Sequence, residues 1–87
     1  MPLKKQNFLD VVIVDPNHVV YEGKAKRVFA PGKIADLALL PEHTPLYTEL
    51  IEGTIQIEEE SGQKIEEKID GGVARIKNNT LTILIGF

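Results

Sequence analysis

The sequence contains no cysteine. That excludes a disulfide framework and every chemistry that needs a thiol or a thiolate-bound metal. It has no basic excess either: the net charge is −3 and the isoelectric point about 5.3. A nucleic-acid binder needs a positive surface to displace counterions, so no nucleic-acid partner is expected. No apolar run is long enough to span a bilayer. The longest candidate, Phe8 to Val14 behind Lys4 and Lys5, is interrupted by Asp10 and ended by Asp15-Pro16 with no small-residue cleavage pattern. It reads as a buried strand, not as a signal peptide or an anchor. No Gly-rich loop joins a strand to a helix as phosphate cradles require, and Gly71-Gly72 is too short to be one.

Nucleophilic and metal chemistry find little support. Ser61 falls at a hairpin tip with no oxyanion machinery near it in sequence, although His18 or His43 could be imagined as its base. The two histidines are 25 residues apart, without the short spacings of zinc sites. No catalytic residue, metal or cofactor is expected. The acidic run Glu58 to Glu60, facing Glu66-Glu67, reads as a solvated hairpin with Lys64 and Lys68 pairing across it. Lys24, Lys26 and Arg27 read as another solvated face.

What is present is strand pattern. The 87 residues, 43% apolar, make one domain over 1–87 with a small core, for which a permanent partner would add stability by mass action. Val11–Val14 reads as a β-branched run covered on both faces. Asp15-Pro16-Asn17 is turn chemistry, Val19–Tyr21 a returning strand closed by Gly23, and Ala25–Ala30 a third strand. Pro31-Gly32 marks a turn, and Ile34 to Leu40 reads as a further strand broken only by Asp36. Ile55 and Ile57 alternate on one face. Ile65 and Ile69 fit either a strand or a helix face, and the flanking glycines favour strand. Asn78-Asn79 suits a tight hairpin, after which Leu81, Ile83 and Ile85 face the core. The expected fold is all-β, a small antiparallel β-sandwich or barrel of about nine to ten short strands. It would have no C-terminal helical hairpin.

One segment stands apart. Pro31 to Leu46 holds a turn, one acid among apolar residues, and a Pro-Glu-His-Thr-Pro loop stiffened at both ends. It fits a core strand with a corner, and equally a preorganised docking loop whose prolines lower the ordering cost of binding.

An ordered set of motifs then carries a resemblance. VVIVDP runs over Val11–Pro16, VVYEG over Val19–Gly23 and APG over Ala30–Gly32. ADLALLPEHTPL follows at Ala35–Leu46, EG at Glu52-Gly53 and DGG at Asp70–Gly72. Together they resemble the epsilon subunit of F-type ATP synthases, called delta in mitochondria, over residues 8–85. Ala35, Ala38 and Glu42 stand where the family pattern has glycines.

The resemblance implies a non-catalytic rotor subunit at the foot of the central stalk. It would dock the gamma subunit to the membrane c-ring of a proton- or sodium-driven synthase, as one copy in the complex. It would lie peripherally on the cytoplasmic face of the energy-coupling membrane, without inserting into it. By motif match Asp36 is the candidate for a charged contact on the c-ring side, and His43, Pro45 and Leu46 for the gamma side. Tyr47 is added as an aromatic anchor because such residues are enriched at interface centres. A free-standing β-sandwich adaptor, and a ligand binder or hydrolase on a barrel, are the competing readings.

Overall fold

The computed structural model describes residues 7–87, so the reading of Lys4 and Lys5 lies outside the described residues. Among these described residues six strands form one sheet: β1 (Leu9–Val14), β2 (Val19–Ala30), β3 (Leu37–Leu39), β4 (Leu46–Glu59), β5 (Lys64–Lys77) and β6 (Thr80–Ile85). Their order is β1-β6-β5-β4-β2-β3, and β1 also pairs with β2. That extra pairing closes a five-strand ring, giving a barrel-like sandwich with β3 as an outlying strand on β2. A ring with an odd number of strands cannot alternate direction all the way round. The expected purely antiparallel pattern therefore breaks at one seam, where β1 runs parallel to β6 from Asp10↔Thr80 to Val14↔Leu84.

Six strands replace the expected nine to ten because three of them are long, of 12, 14 and 14 residues. β2 continues through Gly23, where a break was expected. On β4 the deeply buried positions change parity along the strand, from Leu50 to Ile55 and Ile57. On β5 they change from Ile69 to Ala74 and Ile76. The paired ribbon thus turns its other face to the core near Gly53, Gly71 and Gly72, and each strand serves both layers of the sandwich. Gly71 has φ 138°, and a Cβ on Gly72 would collide with the Leu84 carbonyl oxygen, so this bend needs glycine.

The core is apolar throughout. Leu9, Ile13, Ile55, Leu81 and Ile83 have no exposed surface, and no buried side chain among the described residues is polar. Alternation predicts much of this: Leu81 and Ile83 point inward, with Ile85 half-buried. Where alternation alone would put Arg27 inside, a bulge between Ala25 and Arg27 turns both Lys26 and Arg27 outward and returns Val28 and Ala30 to the core. Val12 and Val14 are only half-buried, so β1 is fully covered on one face rather than two.

Other expectations change at the surface. Ile34 to Leu40 is not one strand. Lys33 to Ala35 bend, Ile34 is almost fully exposed, and only Leu37–Leu39 pair, with Val28–Ala30 of β2. Glu58 lies opposite Lys64 in register, yet its ion pair is with Arg27 at 2.9 Å. Among the described residues Lys64 and Lys68 form no ion pair. Lys24 pairs with Asp10 across β1–β2 at 3.2 Å. Asp15 makes the expected turn by accepting the Asn17 and His18 backbone N–H groups, both at 2.8 Å; these bonds hold its carboxyl below the usual range.

Candidate docking surfaces

The Pro-Glu-His-Thr-Pro loop leaves β3 through a tight turn. The His43 N–H donates to the Leu40 carbonyl at 3.2 Å, with Pro41 and Glu42 at the corner. Proline presets φ for the first corner position, and the second requires positive φ. Glu42 has φ 65°, so the loop keeps a left-handed residue where the family pattern has glycine. A clamp from elsewhere in the chain holds it: Oδ1 of Asn79 accepts the Glu42 N–H at 2.9 Å, while Nδ2 donates to the Phe8 carbonyl at 2.6 Å. Asn79 itself sits in the β5–β6 turn, where Asn78 and Asn79 have φ 51° and 61°. The sequence marks it only as a turn former.

Beyond the clamp, His43 is half-buried, and its Nδ1 lies 2.6 Å from the Thr44 carbonyl. A carbonyl only accepts, so Nδ1 carries the proton and Nε2 is the ring atom left for a partner. Pro45 is exposed and Leu46 half-buried against the core. Tyr47 is 73% exposed on the outer face of β4, opposite Arg75 of β5. It borders a shallow groove shared with Val73, Leu84 and Phe87, of which Leu84 and Phe87 are also exposed. His43, Pro45, Leu46 and Tyr47 thus lie around one corner, with an apolar surface continuing past it.

Asp36 lies elsewhere. It is exposed at the entry to β3, not enclosed by apolar neighbours. Its loop is pinned to β4 from both sides, since the Lys33 N–H donates to Glu49 O at 3.0 Å and the Ile51 N–H to Pro31 O at 2.9 Å. Its carboxylate has no hydrogen bond or ion pair among the described residues, which leaves it without the backbone bonds of a turn cap. It lines a groove with Phe29, Pro31, Thr54 and Gln56, none of which borders the Tyr47 grooves. The chain therefore presents two separate surfaces. Alternation could have revealed Phe29, because Val28 and Ala30 on either side are buried.

Among the described residues the barrel interior is filled by aliphatic side chains and the grooves beside Asp36 and Tyr47 are open, so neither has the enclosed form, with converging polar groups, of a ligand pocket.

A family model for the ATP synthase delta/epsilon chain β-sandwich domain matches residues 8–86. The chain belongs to this family. The membership replaces the reading of an adaptor unrelated to ATP synthase, and the family is one of non-catalytic accessory chains. The ATP synthase epsilon chain of Alkalilimnicola ehrlichii is 30% identical over 76 residues, which cover 87% of this chain and 54% of that one. The chain thus spans about half the length of that relative. Two solved structures share the fold. A chain of the Euglena gracilis mitochondrial ATP synthase, in a structure of its OSCP, F1 and c-ring, superposes with a TM-score of 0.87 at 15% identity. That match covers 94% of this chain and 52% of the other. A chain in the central stalk and c-ring structure of the Tetrahymena thermophila mitochondrial enzyme gives 0.74 at 21% identity, covering 98% and 67%. No helix among the described residues is long and apolar enough to cross a membrane.

Proposed function

We propose that this domain is a docking module of the central stalk of a rotary ATP synthase. Through the His43–Tyr47 corner it grips the gamma subunit, and through the Asp36 surface it meets the membrane c-ring. Its work is mechanical: it helps fix the shaft to the ring so that proton or sodium flux turns both, while catalysis belongs to other subunits. It sits peripherally on the cytoplasmic face of the membrane, one copy per complex.

The observation that carries this reading is the family match over residues 8–86, a span that includes both the corner and the Asp36 groove. The form of the corner supports it. A loop held by Pro41, Pro45 and the Asn79 clamp loses little freedom on binding, and exposed Tyr47 offers a large apolar contact at its end.

Titration calorimetry with a cognate gamma subunit tests it. A specific complex is expected, burying about 1,200–2,000 Å² in total. Tyr47→Ala should weaken it by more than about 1 kcal/mol with an unchanged melting temperature. No binding by the wild-type domain overturns the gamma assignment. An unchanged affinity for the variant removes Tyr47 from the centre of the interface.

A further inference from the structure

The far half of β5 carries two cations that the fold itself does not use. Ala74 and Ile76 are buried, so Arg75 and Lys77 share the outer face, with backbones about 7 Å apart. Arg75 lies opposite Tyr47 on β4 and Thr82 on β6, and Lys77 opposite Thr80. Both cations are exposed, and both line the shallow groove that Pro45, Leu46 and Tyr47 border. Among the described residues neither forms an ion pair or a side-chain hydrogen bond.

No acid lines that groove. The acids nearest in the sheet are engaged elsewhere. Glu49, two residues beyond Tyr47, lies 3.7 Å from the Lys33 amine, and Asp10, beside Thr80, lies 3.2 Å from that of Lys24. Lys64 and Lys68 at the near end of β5 also lack ion pairs, but Glu66 stands between them on the same face. On a chain of net charge −3, Arg75 and Lys77 thus form a local positive strip beside an exposed aromatic ring.

A carboxylate fits this strip. The planar guanidinium of Arg75 can donate two parallel N–H groups to its oxygens, Tyr47 offers a hydroxyl beside it, and Lys77 adds a second positive charge. The groove is open, however, and an ion pair bathed in water contributes little. The acid must therefore arrive on a larger surface that excludes water, and the groove is continuous with the corner where such a surface docks.

We infer that Arg75 and Lys77, with Tyr47 between them and the corner, form a subsite for an aspartate or glutamate side chain of the gamma partner. The inference rests on the gamma reading of the His43–Tyr47 corner and names the chemistry that the partner presents beside it.

Binding to a cognate gamma subunit is measured by calorimetry at low and at physiological salt. Wild type is compared with Arg75→Gln, Lys77→Gln and Tyr47→Ala, each checked for an unchanged melting temperature. Lys64→Gln changes the net charge equally at a distant point and serves as the control. Arg75→Gln should weaken binding about fivefold to tenfold and Lys77→Gln about threefold, both with a flatter salt dependence, while Lys64→Gln stays within about twofold of wild type. In parallel, inorganic phosphate is titrated into the free domain and followed by NMR at the Arg75 side chain, with no saturable shift expected. If Tyr47→Ala weakens binding but Arg75→Gln and Lys77→Gln behave like Lys64→Gln, the acid subsite is overturned and the docking corner stands. Saturable phosphate binding at Arg75 would make it a site for free anions and overturn the assignment to a partner's carboxylate. If wild type does not bind gamma, the corner reading fails and the subsite with it.

Discussion

Asn79 holds Glu42 in place across 37 positions of sequence, through a 2.9 Å bond from the Glu42 backbone N–H to the Asn79 side-chain oxygen. The other end of the same amide bonds the Phe8 carbonyl, and the Asn79 carbonyl accepts the Asp10 N–H at 3.1 Å. One residue thereby ties the candidate docking corner, the entry to β1 and the β5–β6 turn together.

Replacing it should loosen all three. Asn79→Gly keeps the left-handed backbone and deletes both side-chain bonds, so it should cost about 1–2 kcal/mol in urea unfolding. Asn79→Ala adds the strain of φ 61° on a residue with a Cβ and should cost about 1 kcal/mol more. In hydrogen exchange the Glu42 amide should lose protection in both variants. Retained protection at Glu42 would show that another contact holds the corner.

Gly72 makes a second, sharper prediction. The β4–β5 ribbon changes its buried face here, and a Cβ would meet both the Leu84 carbonyl and the Ile85 side chain on β6. The carbonyl belongs to backbone and has little room to give. Gly72→Ala should therefore destabilise by about 1–3 kcal/mol or more, at the upper end of what overpacking costs. The same change at Gly62, in the tip between β4 and β5, meets nothing within 4 Å and carries only the strain of its φ of 93°. Gly62→Ala should then be the milder of the two in thermal melts.

Gly72 also shows where sequence reasoning reaches its limit, whereas Gly62 lies at the turn tip that the sequence suggests. Period-two alternation correctly orients Ile55, Ile57, Leu81 and Ile83, because each lies in a stretch whose parity never changes. It miscounts strands at Gly23 and Gly71-Gly72, because glycine is read as an end when here it lets a long strand bend or pack closely. Asp36 looks enclosed in the sequence because its neighbours are apolar, yet Ile34 and Leu40 are themselves exposed. The Asn79 clamp joins residues far apart in the chain, and nothing local marks such a bond. The candidate residues His43, Pro45 and Leu46 are nearly contiguous in sequence and so are open to motif comparison, whereas the Phe29–Gln56 pair exists only through strand pairing.

Tyr21 supplies a prediction in pH. Its hydroxyl donates to Glu59 Oε2 at 2.6 Å, joining β2 to β4. Burial first, then the hydrogen bond to Glu59 and its negative charge, push the phenol up from 10.0 to about 12. The raised value means the neutral phenol is favoured by folding. This stabilisation is fully present below pH 10 and is lost as the pH rises from 10 through about 12. With Tyr47→Phe leaving Tyr21 as the only tyrosine, the phenolate absorbance should rise with a midpoint near 12, and Glu59→Gln should bring it down. A midpoint near 10 with Glu59 present would mean that the bond does not form in solution.

Glu42 allows the backbone cost of the candidate docking corner to be separated from the chemistry of its side chain. The residue sits at φ 65°, the left-handed region that a Cβ disfavours by roughly 1–2 kcal/mol. Glu42 makes a further interaction besides the Asn79 bond, so Glu42→Gly alone would not separate a side-chain effect from the relief of strain. Comparing Glu42→Gly with Glu42→Ala removes that ambiguity, because both delete the carboxylate and only alanine keeps the Cβ. Glycine also has the more flexible unfolded chain, which offsets about 0.4–1 kcal/mol of the relief. The net expectation is that Glu42→Gly is the more stable of the pair by up to about 1 kcal/mol in urea unfolding, with the Asn79 bond intact in both. Gamma binding should then follow the same order, since the variant that favours the corner's conformation in the free domain has less ordering to do on association. An alanine variant as stable as the glycine one would show that the left-handed corner relaxes when the glutamate is removed, and that the glutamate's own contacts, not the turn geometry, hold it there.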